Sequence, residues 1–115
     1  LNDDFRMYSG NDDMIVPLLS LGASGVISVL ANVMPQETHD IVMAYLHHDV
    51  DTALRIQLDN LDLIHALFIE VNPIPVKEAL NLMGKQVGGY RLPLSEMTEE
   101  HKEVLAAKMK EKGLC

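Results

Sequence analysis

Cysteine is nearly absent: Cys115 is the one example and the last of 115 residues, so the chain has no second thiol for an internal disulfide or a structural cysteine–metal cluster. Tryptophan is missing. With only three Tyr and two Phe, packing falls to aliphatic side chains and to seven Met, which suit adaptable helix contacts. Positive charge is scarce too: nine Lys and Arg stand against seventeen Asp and Glu, a net charge of −8 that repels phosphate backbones and anionic lipid heads. Neither nucleic acid nor a membrane is therefore expected as a partner. No apolar run approaches the roughly 18 residues that cross a bilayer, and no charged leader precedes an apolar segment, so a cytoplasmic location is expected. What is present is 48% hydrophobic content in the length of one ordinary domain, enough to bury a core.

Residues 5–9 form a short apolar run closed by Gly10, and residues 25–30 form a second, rich in β-branched side chains. Both predict buried strands. Between them Asn11 or Asp12 is placed to cap a short helix through Leu21, with Met14, Leu18 and Leu21 on one face and Gly22 as its stop. A crossover of this length joins parallel strands in a right-handed βαβ unit. Pro35 suits a first helical turn and Glu37 its positive end, which predicts a helix over 35–48 with Ile41, Val42 and Tyr45 inward.

Asp49 or Asp51 then opens a longer helix to about residue 70, on which Leu54, Leu58, Leu61, His65 and Phe68 repeat at four and three residues. Pro73 and Pro75 stop it, since neither donates a backbone N–H and each turns the preceding residue away from helix. Residues 76–83 predict a compact helix ended by Gly84, and residues 88–93 an extended loop. The last helix, over 98–112, has Glu99 and Glu100 in its first turn, Lys108, Lys110 and Lys112 in its last, and Gly113 beyond. Two parallel strands do not make a stable sheet alone, so each needs a neighbour on its far side. Two βα units followed by three helices suit the end of a barrel with a helical appendage, and equally other α/β folds.

Each motif also has a plain reading. Gly10 can let a ligand approach the backbone or can simply end a strand. Asn11, Asp12 and Asp13 suit helix capping or the rim of a site. Ile27 reads as a buried strand residue, and the proline run as a separator of helices. Lys77, near an exposed helix start, would keep its ordinary charge, whereas a Schiff-base lysine must be desolvated. Adjacent His47 and His48 point about 100° apart on a helix and do not chelate one ion, while His65 reads as a hydrogen-bonded core histidine. Asp49, Asp51 and Asp59 lack the glycine and closing glutamate of a calcium loop. No phosphate-cradling loop, nucleophile elbow or Cys/His pair occurs.

Three stretches occur in order: Tyr8, Ser9, Gly10, Asn11 and Asp12; then Gly25, Val26, Ile27, Ser28 and Val29; then Asn72, Pro73, Ile74, Pro75, Val76 and Lys77. Together they resemble the C-terminal part of the dihydrodipicolinate synthase family, over essentially the whole chain. The resemblance implies that residues 1–48 are the last two βα units of a (β/α)8 TIM barrel, and that residues 49–115 are a C-terminal three-helix extension. It implies a class I aldolase that condenses pyruvate, held as a lysine imine, with aspartate semialdehyde on the diaminopimelate route to lysine, with no cofactor or metal.

In that family Gly10 and Ile27 match substrate-binding positions beside the reactive lysine, and the main chain at Ile27 contacts pyruvate. The imine-forming lysine and its tyrosine partner precede this chain. Neither role therefore passes to Lys77, Tyr8, Tyr45 or Tyr90, and no catalytic residue is expected here. Asn11 stands where the family commonly has an acid. The chain starts with Leu1 rather than Met and is expected to be a piece of a longer protein, inactive alone, with the missing N-terminal barrel segment as partner and homo-oligomeric assembly. A sister aldolase such as a sugar-acid lyase and a non-catalytic assembly module are the alternatives.

Overall fold

A computed structural model describes residues 3–115; Leu1, where the expected truncation falls, lies outside them. The chain forms two compact units, residues 1–61 and 62–115. The first contains β1 (Tyr8–Ser9), a 3-10 turn (Asp12–Met14), α1 (Ile15–Ser20), β2 (Gly25–Val26), a second 3-10 turn (Leu30–Asn32), α2 (Pro35–Leu46) and α3 (Val50–Asp59). The two strands pair in parallel, Tyr8 with Gly25 and Ser9 with Val26. Ser24 N–H donates to the Met7 carbonyl at 2.7 Å and Ile27 N–H to the Ser9 carbonyl at 2.9 Å, framing the pair. Among the described residues the sheet has only these two strands, so each keeps one unpaired edge. A single neighbour supports few ladder bonds, and both strands are shorter than the runs that predicted them.

The faces of two helices differ from expectation. Met14 and Leu21 are exposed, and the buried side of α1 is Ile15, Val16 and Leu19. The helix begins as a 3-10 turn with three residues per turn, which shifts the phase of everything after it. These three side chains join Ala23, Ile41 and Ala53 in one cluster, with Met7, Val26, Val42 and Tyr45 packed against it, so α2 does turn Ile41, Val42 and Tyr45 inward. Helix α2 stops at Leu46 because His48 adopts a left-handed φ of 69° and Asp49 N–H folds back onto the Ala44 carbonyl at 2.8 Å. His47 and His48 are exposed at that end. Asp49 then caps α3, its carboxylate accepting from Thr52 N–H at 3.1 Å; the Thr52 side chain first, and then this N–H, hold its pKa below the ordinary value.

The expected long helix is two helices. It breaks at Asn60, whose Nδ2 donates to the Ile56 carbonyl one turn back at 2.9 Å, while its backbone leaves the helical region. The leucine stripe of α3 is the exposed side: Leu54 and Leu58 face outward, and Ala53 and Gln57 are buried instead.

The second unit holds nearly all of α4 (Leu61–Leu67), then α5 (Ile74–Leu82) and α6 (Glu99–Glu111). Four helices therefore follow residue 48 rather than three. Leu63, Ile64, Ala66 and Leu67 are the buried side of α4, and His65 and Phe68 are exposed, so His65 is not a core histidine. Pro73 is the N-cap of α5 and Pro75 its second residue, positions where a missing N–H costs nothing, and the helix starts two residues earlier than predicted. Lys77 and Asn81 on α5 fasten the loop that follows it. Lys77 Nζ donates to the Gly89 carbonyl and lies 5.3 Å from the Tyr90 ring centre, and Asn81 bonds Val87 N–H and the Gly88 carbonyl. Helix α6 packs on α5 and is capped by Thr98. Glu70 accepts from Thr98 N–H at 3.1 Å and meets His101 Nδ1 at 2.9 Å, pinning its start.

Candidate functional site

Gly10 and Ile27 each sit one residue beyond a strand, Gly10 after β1 and Ile27 after β2, so parallel pairing brings both to the same end of the sheet. In parallel α/β folds the carboxyl ends of the strands are where ligands bind. Ser9, fully buried, donates its hydroxyl to the Asn11 carbonyl at 2.7 Å and accepts from Asn11 N–H at 3.3 Å, which folds the chain tightly around Gly10. A methyl group placed on Gly10 would meet nothing within 4 Å, so crowding inside this chain does not demand glycine there. The space above it is open to a group from outside.

Ile27 is not the buried strand residue predicted: it is 73% exposed, because little among the described residues lies over it. Of its two main-chain polar groups the N–H is committed to Ser9, which leaves the carbonyl oxygen for a ligand. Asp12 is also not placed as predicted. It is 1% exposed and caps no residue of its own helix. Its carboxylate reaches across to the turn after β2, accepting from Ser28 Oγ, from Val29 N–H at 2.9 Å and from Leu30 N–H at 3.0 Å. Gln57, buried on α3, accepts from Val16 N–H at 2.9 Å and donates to the Asp12 carbonyl. These partners lie between 16 and 45 residues apart, and no local pattern announces them.

Two lysines are biased toward their charged form. Lys102 and Lys108 are held above the ordinary lysine pKa, by hydrogen bonds to Glu99 and Glu111 respectively, which keeps them protonated. Burial, and then Glu78, push the Tyr90 hydroxyl up, so its anion is disfavoured. Among the described residues no group of three His, Cys, Asp or Glu is placed to hold a metal, and no helix is long and apolar enough to cross a membrane. An open apolar groove of about 330 Å³, lined by Tyr8 of β1, Val26 of β2 and Thr38, Val42 and Met43 of α2 among others, does not include Gly10 or Ile27.

Two parallel βα units with open strand edges, followed by helices, suit the closing part of an α/β barrel with a C-terminal helical extension. The chain belongs to the dihydrodipicolinate synthetase family, whose model matches residues 1–112. It is 58% identical over 111 residues to the 4-hydroxy-tetrahydrodipicolinate synthase of Acetivibrio thermocellus, a match covering 96% of this chain and 38% of that protein. The enzyme of the same name from Clostridium tetani is 52% identical over 114 residues, covering 99% of this chain and 39% of its own length. Among solved structures, dihydrodipicolinate synthase from Aquifex aeolicus superposes with a TM-score of 0.96 at 42% identity, covering 99% of this chain and 39% of that one. The Thermotoga maritima enzyme does so with 0.95 at 41%, again over 99% and 39%. The chain thus spans about two fifths of the length of these relatives, and its two βα units are the last two of a TIM barrel.

Proposed function

We propose that this chain is the C-terminal segment of a 4-hydroxy-tetrahydrodipicolinate synthase, a cytoplasmic lyase that condenses pyruvate, held as a lysine imine, with aspartate semialdehyde on the diaminopimelate route to lysine. The observation that carries the proposal is 58% identity to a synthase along 96% of this chain but 38% of the relative. Residues 1–48 supply two staves of the barrel and residues 49–115 the helical extension. Gly10 and the Ile27 carbonyl form part of the wall around pyruvate: both lie at the carboxyl end of the strands, with open space over Gly10 and a main-chain oxygen at Ile27 free to meet a ligand. The imine lysine and its tyrosine partner belong to the N-terminal barrel segment, which is the physical partner of this one, and the complete protein works as a homo-oligomer without cofactor.

Imine chemistry needs an amine that is neutral near pH 7, and Lys102 and Lys108, held charged by their carboxylate partners, are unsuited to it. The segment therefore contributes shape rather than proton transfer. A full-length synthase in which the Acetivibrio C-terminal part is exchanged for these 115 residues tests this directly. Turnover of pyruvate and aspartate semialdehyde is expected, and a folded but inactive chimera contradicts the assignment.

A further inference from the structure

We infer that Asp12 and Gln57 are positioning residues for the wall of the site, forming a buried polar relay that runs from α3 to the turn after β2 and fixes the Ile27 carbonyl. The inference rests on the reading of Gly10 and Ile27 as part of the pyruvate site.

Ile27 has no packing to hold it, since its side chain is 73% exposed. Its place is set by its backbone neighbours. On one side its own N–H is tied to Ser9, and on the other Ser28 donates to Asp12 and accepts from Ala31 N–H at 2.9 Å. The next two amides, of Val29 and Leu30, bind the second oxygen of the same carboxylate. Asp12 is in turn steadied from behind by Gln57, which grips its carbonyl and the N–H of Val16 together. Gln57 and Asp12 are 3% and 1% exposed, so the bonds of Gln57 and that from Leu30 N–H form out of water, where they are strong and costly to leave unmade, and those of Ser28 and Val29 are partly buried. Removing a link therefore shifts the carbonyl rather than merely wetting a loop. A displacement of about 1 Å at a reacting centre costs up to about a hundredfold in rate.

The experiment uses the full-length chimera bearing Asp12→Asn, Gln57→Leu, Ser28→Ala or Ser28→Thr, each assayed well below its own melting temperature. Asparagine keeps the size of Asp12 but turns an NH2 group toward donors. Asp12→Asn and Gln57→Leu are expected to raise the pyruvate KM about tenfold. Ser28→Ala is expected to raise it as well, and Ser28→Thr, which keeps the hydroxyl, to restore it. Lower melting temperatures with an unchanged pyruvate KM would show a purely structural role and overturn the inference. If Asp12→Asn does not fold, the alanine and threonine variants of Ser28 decide the matter. Gly10→Val, which the atoms of this segment leave room for, separates the two levels of the argument. If valine leaves the pyruvate KM unmoved, the site reading fails and the relay with it. If valine raises the KM while the relay variants do not, the relay alone fails.

Discussion

At the scale of single residues, buried polar groups carry more of the architecture than their number suggests. Gln57→Leu keeps the volume but leaves Val16 N–H and the Asp12 carbonyl without partners, and each such loss costs about 1–3 kcal/mol. A lower urea midpoint with an unchanged slope is expected for that variant, and a midpoint matching the parent would contradict the bonding described. Glu70 offers a pH test. Its hydrogen bond to His101, aided by Thr98 N–H, lowers its pKa in the folded chain below the ordinary 4.5. A carboxylate with a depressed folded pKa stabilises above the unfolded value and loses that contribution as pH falls through the folded one. The melting temperature is therefore expected to fall on acidification below about pH 4.5. Glu70→Gln should melt lower at neutral pH and show a flatter acid limb; an unchanged acid limb would contradict the pairing.

At the scale of elements, most helix ends were legible in the sequence, and of the faces only that of α2 was. Thr98 with Gly113, Pro35, and the prolines before α5 all act where their chemistry predicts, because capping is decided within a few residues. The inward faces of α1 and α3 depend on distant partners. A 3-10 turn rotates α1 so that Ile15, Val16 and Leu19 point inward, and the bonds of Gln57 to Asp12 and Val16 turn the polar side of α3 toward the core. Asn60 breaks a helix that periodicity alone would continue. Prolines at compatible helix-start positions each stabilise by about 0.4–1 kcal/mol through the unfolded chain. A Pro73→Ala, Pro75→Ala double variant of the full-length protein is thus expected to lose about 1–2 kcal/mol of stability and keep its turnover. Lost turnover at an unchanged melting temperature would reverse that assignment.

At the scale of the whole molecule, this chain carries surface meant to be covered. Tyr8 and Ile27 are exposed beside unpaired strand edges, and Leu21 is 74% exposed at the end of α1. Open parallel edges and apolar patches drive association. The isolated chain is expected to sediment as species larger than a monomer, and a monomer persisting at high concentration would argue that these surfaces are self-sufficient. The same feature explains why Ile27 was misread from sequence. Its β-branched setting matches a buried strand, yet little among the described residues lies over it. Gly10 likewise has room for a side chain among the described residues.

The central claim is that this segment shapes a site whose reactive amine lies elsewhere. Borohydride trapping with pyruvate, followed by peptide mapping of the full-length chimera, tests it most directly. The account predicts one reduced adduct on a lysine preceding this segment, and none on the isolated 115-residue chain. An adduct on Lys77, Lys85, Lys102, Lys108, Lys110 or Lys112 would contradict it.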